Sequence, residues 1–315
     1  MLLSEGRWRK CPRCIVVLSL VLVVLAVVPA CGLNSQGGKE GFAGELPDLE
    51  STAGNAQGNT ASKAKRSPYI NPDGKTIAER FPVPEGFTRI PVAAGSFAEY
   101  LRNLPLKPDG AEVKYYDGRT KPNRGIYEAV VDIDVGHRDL QQCADAVMRL
   151  RAEYLYGKGR FAEISFNFAN GFRADYRKWM EGYRVVVEDN RSYWVKRAAP
   201  SNTYQDFRRY LDIVFAYANT ASLAKQMAPV EVSRMEIGDV FVDQGHAVIV
   251  VDMAGNRETG AKLFLLAQSY MPAQEIHILR NPMNDRLSPW YEVNFGEKLY
   301  TPEWTFTNRD LHRFP

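Results

Sequence analysis

Hydrophobic β-forming segments crowd the last third of this chain, and the amphipathic helical patterns come before them. Helices followed by strands, and not alternating with them, favour an α+β domain over a doubly wound parallel sheet. Gly238-Asp239 marks a turn before Val240-Phe241-Val242, and Gly245-His246 opens a strand that runs to Asp252. A polar loop through Gly255-Asn256 and Gly260 leads to a strand at residues 263–268, and residues 275–279 read as another. Upstream, residues 95–101 read as a short helix with Ser96 as N-cap and Glu99 three residues on. Residues 113–116, 129–135, 163–168 and 183–187 read as strands, and residues 204–217 as an amphipathic helix. The clearest helix follows Asp139: Asp139 and Gln142 form a capping-box-like pair, and Leu140, Cys143, Val147, Leu150 and Tyr154 share one face.

The first thirty residues read as an export signal. Arg7, Arg9, Lys10 and Arg13 form a basic segment, residues 15–28 are uncharged and apolar, and Val28-Pro29-Ala30-Cys31 brings small residues to a cysteine. That pattern resembles a bacterial lipobox, with Cys31 as the lipidated first residue of the mature protein. The alternative is an uncleaved anchor, for which the apolar run falls short of the roughly 20 residues a spanning helix needs. Either way the rest of the chain is expected outside the cytoplasm, in the cell envelope, with a lipid anchor on the outer-membrane or periplasmic face favoured. Residues 31–68, rich in Gly, Ser, Ala, Asn and Gln, read as a flexible linker, and residues 69–315 as a single α+β domain.

The whole chain carries a net charge of +3, which the signal's four basic side chains against Glu5 account for. The exported part is therefore near neutral and has no basic stripe interleaved with aromatics, so no nucleic-acid partner is expected. Cys11 and Cys14 lie in the signal. Cys143 is then the lone thiol of the folded domain, without an intramolecular partner in an oxidising compartment. Such a thiol is either buried or useful.

Cys143 opens its helix, where unpaired N–H groups lower a thiol's pKa. A thiol at a helix start, a histidine on a neighbouring sheet and a polar group orienting the imidazole are the parts of a papain-like cysteine hydrolase. Cys143, His246 and Gln268 supply them in that order. If Val251 faces Leu263 across the hairpin, His246 lies opposite Gln268, with Ser269 as second candidate for the orienting role. The Cys143 backbone N–H is the natural oxyanion donor, and Gln141 or Gln142 would add a side chain. Each part also has a plainer reading: a buried core cysteine, a strand-end histidine and a routine strand-end hydrogen bond.

The segment Ile237-Gly238-Asp239-Val240-Phe241-Val242, followed by Gly245-His246-Ala247-Val248-Ile249-Val250, resembles the Gly-Asp…His-strand region of NlpC-type and CHAP-type papain-like cell-wall peptidases. The resemblance implies Cys143 as nucleophile, His246 as base, Gln268 as third polar residue, and amide bonds of peptidoglycan peptides as substrate. Gln142-Cys143-Ala144 departs from the usual Asp-Cys-Ser/Gly opening, and the spacing from cysteine to histidine is long for that group. A longer resemblance covers residues 81–314. Asp139-Leu140-Gln141-Gln142-Cys143-Ala144-Asp145-Ala146, Arg209-Tyr210-Leu211-Asp212-Ile213-Val214-Phe215 and Leu265-Leu266-Ala267-Gln268-Ser269-Tyr270-Met271-Pro272-Ala273-Gln274 resemble a family of bacterial exported proteins, domain of unknown function 4846.

Other patterns point to less. Asp132 and Asp134 alternate on one strand, as do Glu275 and His277, but no third ligand stands at useful spacing, so no metal is expected. Trp290, Tyr291 and Trp304 are candidates either for a glycan groove or for capping a core. The sequence thus predicts an envelope-anchored cysteine amidase or peptidase acting through a Cys143 thioester without a cofactor. Its alternative is a non-catalytic envelope module that binds glycan or peptide in the same cleft.

Overall fold

The structure, a computed structural model, describes residues 67–315. The export signal, the lipidation candidate Cys31 and nearly all of the linker lie outside the described residues. The elements that position the site are, in chain order, helix α1 (Phe97–Arg102), strand β1 (Tyr127–Val130), and helices α2 (Cys143–Gly157), α3 (Tyr204–Tyr217) and α4 (Thr220–Gln226). Strands β2 (Val240–Val242), β3 (Ala247–Gly255), β4 (Lys262–Gln268), β5 (His277–Leu279), β6 (Lys298–Tyr300), β7 (Thr305–Thr307) and β8 (Leu311–Arg313) follow. No helix among the described residues is long and apolar enough to cross a membrane.

Eight consecutive residues of β3, Ala247 to Ala254, are buried. All but Asp252 are apolar, so the strand has no polar face to offer water and both of its sides must be covered. The antiparallel sheet is ordered β1-β5-β4-β3-β2-β8, with the short edge strand Ala228–Pro229 beyond β8. On one face, Ala247, Ile249, Val251, Leu265 and Ala267 pack with Val147 and Leu150 of α2 and Phe207 and Leu211 of α3. On the other, Val248, Val250, Phe264 and Leu266 pack with Leu299 of β6 and Phe306 of β7, which form a two-stranded hairpin. Each fully buried aliphatic or aromatic side chain contributes about 1.5–3 kcal/mol. The result is an α+β architecture with helices over one face of the sheet and a small β-layer over the other.

Several boundaries move from their sequence expectations. The helix of residues 95–101 forms as α1, with the Ser96 side chain accepting from the Glu99 N–H. Helix α3 spans the expected residues. Helix α2 starts at Cys143 itself, with Gln142 as N-cap. Its N-terminal reciprocal partner is Asp145, whose Oδ2 accepts the Gln142 N–H at 3.1 Å, in place of the expected Asp139–Gln142 box. Asp139 instead accepts from Gln142 Nε2 at 3.0 Å and from the Ala273 N–H at 2.7 Å, tying the helix start to the loop after β4. Residues 113–116 make only isolated bridges, Lys114 to Thr120 and Tyr115 to Gln274.

The hairpin register also differs from the assumed one. Leu263 pairs with Ala254, not Val251, and the register shifts between Leu265 and Leu266. Asp252 pairs with Leu265 and Val250 with Leu266, so Val251 is an extra, bulged residue. The bulge changes which face each residue serves. Asp252 turns to the helical side, where Arg89 Nε and Arg102 Nε hold its carboxylate at 2.7 and 2.6 Å. His246 stays on the side of Val248 and Val250, stacked on Phe306 at a ring-centroid distance of 5.9 Å.

Candidate functional site at the start of helix α2

Helix α2 lies on the sheet with its first turn at the end where β3 begins. The Cys143 residue is 5 % exposed. Burial is the largest influence on its thiol and pushes the pKa up to about 11, with the Asp145 carboxyl adding to the rise. The backbone amides of Ala144, Ala247 and Cys143 act the other way. The helix-start effect expected from sequence is therefore present but outweighed by loss of water. The thiol edges a groove of about 390 Å³ whose walls include Gln142, Asp145, Asn219, Gln244, Gly245 and Met271.

His246 is fully buried. Its Nε2 lies 2.8 Å from Gln268 Oε1, and its Nδ1 is buried without a hydrogen-bond partner. Gln268 reaches it on a diagonal: continuing the register past the bulge sets His246 opposite Tyr270, and the two rings lie 4.7 Å apart. Without the bulged residue His246 and Gln268 would project from opposite faces. Burial lowers the His246 pKa to about 4, partly offset by the hydrogen bond to Gln268. The imidazole is neutral at physiological pH, and so is the thiol. No hydrogen bond joins the thiol to the imidazole, whose Nε2 is taken by Gln268 and whose Nδ1 has no partner.

The turn before β3 is held by Asp243. Its Oδ1 accepts the N–H groups of Gly245 and His246 at 2.8 and 2.9 Å, and its Oδ2 accepts Trp304 Nε1–H at 2.9 Å. Trp304 packs so closely on Gly245 that a Cβ there would stand 2.6 Å from the indole ring. The Asp243-Gln244-Gly245 run is a turn signal in the sequence; the indole that completes it comes from a distant segment.

Two further residues that sequence reasoning missed, Glu303 and Lys121, belong to the site, and with them His277, which the sequence offered only beside Glu275 as a would-be metal pair. Glu303 Oε2 accepts from Gln268 Nε2 at 2.7 Å, and its two oxygens take Lys121 Nζ at 2.8 and 3.0 Å. Lys121, nearly fully buried, also donates to Gln274 Oε1 at 2.8 Å and lies over the Tyr270 ring at 5.3 Å. His277 Nε2 is 3.3 Å from Gln268 Nε2, and its Nδ1 is 2.9 Å from the Glu275 carbonyl. Its pKa is lowered to about 3, chiefly by burial.

The remaining candidates are placed as follows. Gln141 Oε1 accepts from Arg149 at 2.8 Å, and its buried Nε2 has no partner. Gln142 spends its Nε2 on Asp139. Ser269 donates to the Gln274 carbonyl at 2.7 Å and lies 3.2 Å from that of Gln141, joining loop to helix start. Asp134 is paired with Arg208, and Glu275 with Lys107. Trp290 and Tyr291 are buried and belong to the cores of the two faces, so they line no glycan groove. Among the described residues no three His, Cys, Asp or Glu side chains group where they could hold a metal ion.

Of the comparisons with known proteins, one matches. The model of a family described as Domain of unknown function (4846) covers residues 77–313. No curated protein and no solved structure matches the chain.

Proposed function

The chain belongs to the Domain of unknown function (4846) family, and on that premise we propose that it is a cysteine amidase or peptidase with a papain-like arrangement of nucleophile and base. One observation carries the reading: a buried imidazole, tethered through Nε2 to Gln268 with Nδ1 unpartnered, follows Gly245, which lines the same groove as the only free thiol among the described residues, at a helix start. The reaction requires the Cys143 thiol and His246 Nδ1, which are not hydrogen-bonded at rest, to come into contact; Nδ1 then takes the thiol proton as the sulfur attacks a substrate carbonyl carbon. The amides of Cys143, Ala144 and Ala247 steady the developing thiolate. The tetrahedral intermediate collapses, the carbon–nitrogen bond breaks, and Nδ1–H returns the proton to the departing amine. Water, deprotonated by the same nitrogen, then attacks the Cys143 thioester and releases the acid.

The neutral resting pair fits a base that acts on demand. Thiolate and imidazolium formed together stabilise one another, which neither does alone in so dry a site. The likeness of residues 237–250 to cell-wall peptidases makes a peptidoglycan peptide amide the proposed substrate. Lipidation at Cys31 would hold the domain at the envelope membrane, with no nucleic-acid partner.

The test is digestion of purified peptidoglycan peptides by the full chain, followed by mass spectrometry of the products and of any acyl group trapped on Cys143. New amine termini that disappear in Cys143→Ala and fall at least about 100-fold in His246→Ala are expected. Identical products from Cys143→Ala would sink the proposal. A second reading is favoured by the burial of the thiol: a non-catalytic module that holds glycan or peptide in the groove of about 390 Å³. It predicts the same peptide affinity in wild type and Cys143→Ala, without turnover in either.

A further inference from the structure

Gln268 is surrounded by groups whose hydrogen-bonding capacities leave it one orientation. Glu303, with Lys121 against both of its oxygens, is an ionised carboxylate and can only accept. The Gln268 atom at 2.7 Å from it must therefore be the amide nitrogen. The Glu275 carbonyl also only accepts, so the His277 nitrogen 2.9 Å away, Nδ1, carries that ring's proton. His277 Nε2 is then a bare acceptor, and it takes the second hydrogen of the same Gln268 amide at 3.3 Å. Turning the amide over would set its oxygen against a carboxylate and a lone pair at once. With both hydrogens spent, Gln268 presents Oε1 to His246 Nε2 at 2.8 Å, and that nitrogen must donate. Nδ1 is left unprotonated, and it is the ring atom for which no partner exists.

We propose that Glu303 is a positioning residue that fixes His246 in the Nε2–H tautomer, leaving Nδ1 as the nitrogen able to take a proton. Lys121 holds Glu303 in place, and His277 is the second anchor of the same amide. The use of the bare nitrogen as a catalytic base rests on the amidase reading; the tautomer itself does not. Nothing near Glu303 in the sequence marks it, because it lies in the turn between β6 and β7 and meets β4 only through the fold.

Nitrogen NMR of the full chain labelled at histidine reads the tautomer directly, with His246 assigned by the signal lost in His246→Ala. In wild type at neutral pH, Nε2 is expected to show the shift of a protonated ring nitrogen and Nδ1 that of a bare one. Glu303→Gln offers Gln268 an amide that accepts or donates, and the minor tautomer is expected to rise about tenfold or more. Glu303→Asp retains a carboxylate and is expected to keep the wild-type tautomer dominant. His277→Phe removes the other anchor without touching Glu303, so a smaller rise is expected there, which covers failure of Glu303→Gln to fold. A protonated Nδ1 in wild type, or unchanged populations in both Glu303→Gln and His277→Phe, overturns the proposal. Peptide cleavage on the same samples is scored separately: its absence in wild type removes the amidase reading and leaves the tautomer assignment standing.

Discussion

The titration of Cys143 can be predicted from its surroundings. A thiol of ordinary pKa 9.0 is raised by burial to about 11. At neutral pH that two-unit rise cuts the thiolate fraction about 100-fold. A more basic thiolate is also a better nucleophile, and a Brønsted coefficient of about 0.4–0.5 returns roughly eightfold of the loss. Alkylation by iodoacetamide at pH 7.5 should therefore run about tenfold slower than for an unstructured peptide thiol, before any added delay from restricted access. The assay is the alkylation rate against pH, followed by mass spectrometry in Cys31→Ser, Cys11→Ser, Cys14→Ser protein so that Cys143 is the only thiol. The native profile should climb with a midpoint near 11 and return to about 9 in denaturant. A neutral-pH plateau that vanishes in His246→Ala would refute the reasoning, because it would mean a thiolate–imidazolium pair already formed at rest.

Three further outcomes follow from the same structure. His246 and His277 are buried neutral with pKa values lowered to about 4 and about 3. The unfolded chain binds protons there that the native state refuses, so stability falls as pH drops from about 6.5 through these values, by a few kcal/mol for each ring. Denaturant melts that show flat stability from pH 7 to 4 would contradict it. Asp252→Ala strips the shared partner from Arg89 and Arg102 at a fully buried site and should cost about 3–5 kcal/mol by urea unfolding; a loss under about 1 kcal/mol would show the pairing to be of little consequence. Gly245→Ala drives a methyl into Trp304 and should cost about 1–3 kcal/mol while shifting tryptophan fluorescence. An unchanged spectrum would mean that the indole does not pack there.

What the sequence showed of this site was its local chemistry. Cys143 at a helix start, the strand opened by His246 and the amphipathic pattern of α3 are all encoded within a dozen neighbouring residues, and each is found in place. The meeting of His246 with Gln268 was anticipated from a register that does not exist; the true pairing reaches the same contact only because one residue bulges. Bulges of this kind leave no mark in an unbroken run such as Val248-Ile249-Val250-Val251. Glu303, Lys121 and Tyr270 were not legible, since their partners lie on other elements and their residue types are ordinary in loops; Trp304 was singled out, but for a glycan groove or a core cap and not for the turn it closes. Nor was the state of the thiol. A helix start argues for a low pKa, and only tertiary packing reveals how much water has been taken away.

The spare residue at Val251 has a consequence for how this domain tolerates change. Asp252 and His246 are six positions apart, an even number, and on a regular strand they would project together. Here one serves the ionic clamp among the helices and the other meets Gln268 on the opposite layer. Most point substitutions along β3 leave that division intact. Deleting a single codon between the two swaps the allegiance of every side chain on one side of the gap, stranding either a carboxylate among phenylalanines or an imidazole away from its glutamine. Length, more than identity, is what this stretch cannot forgive.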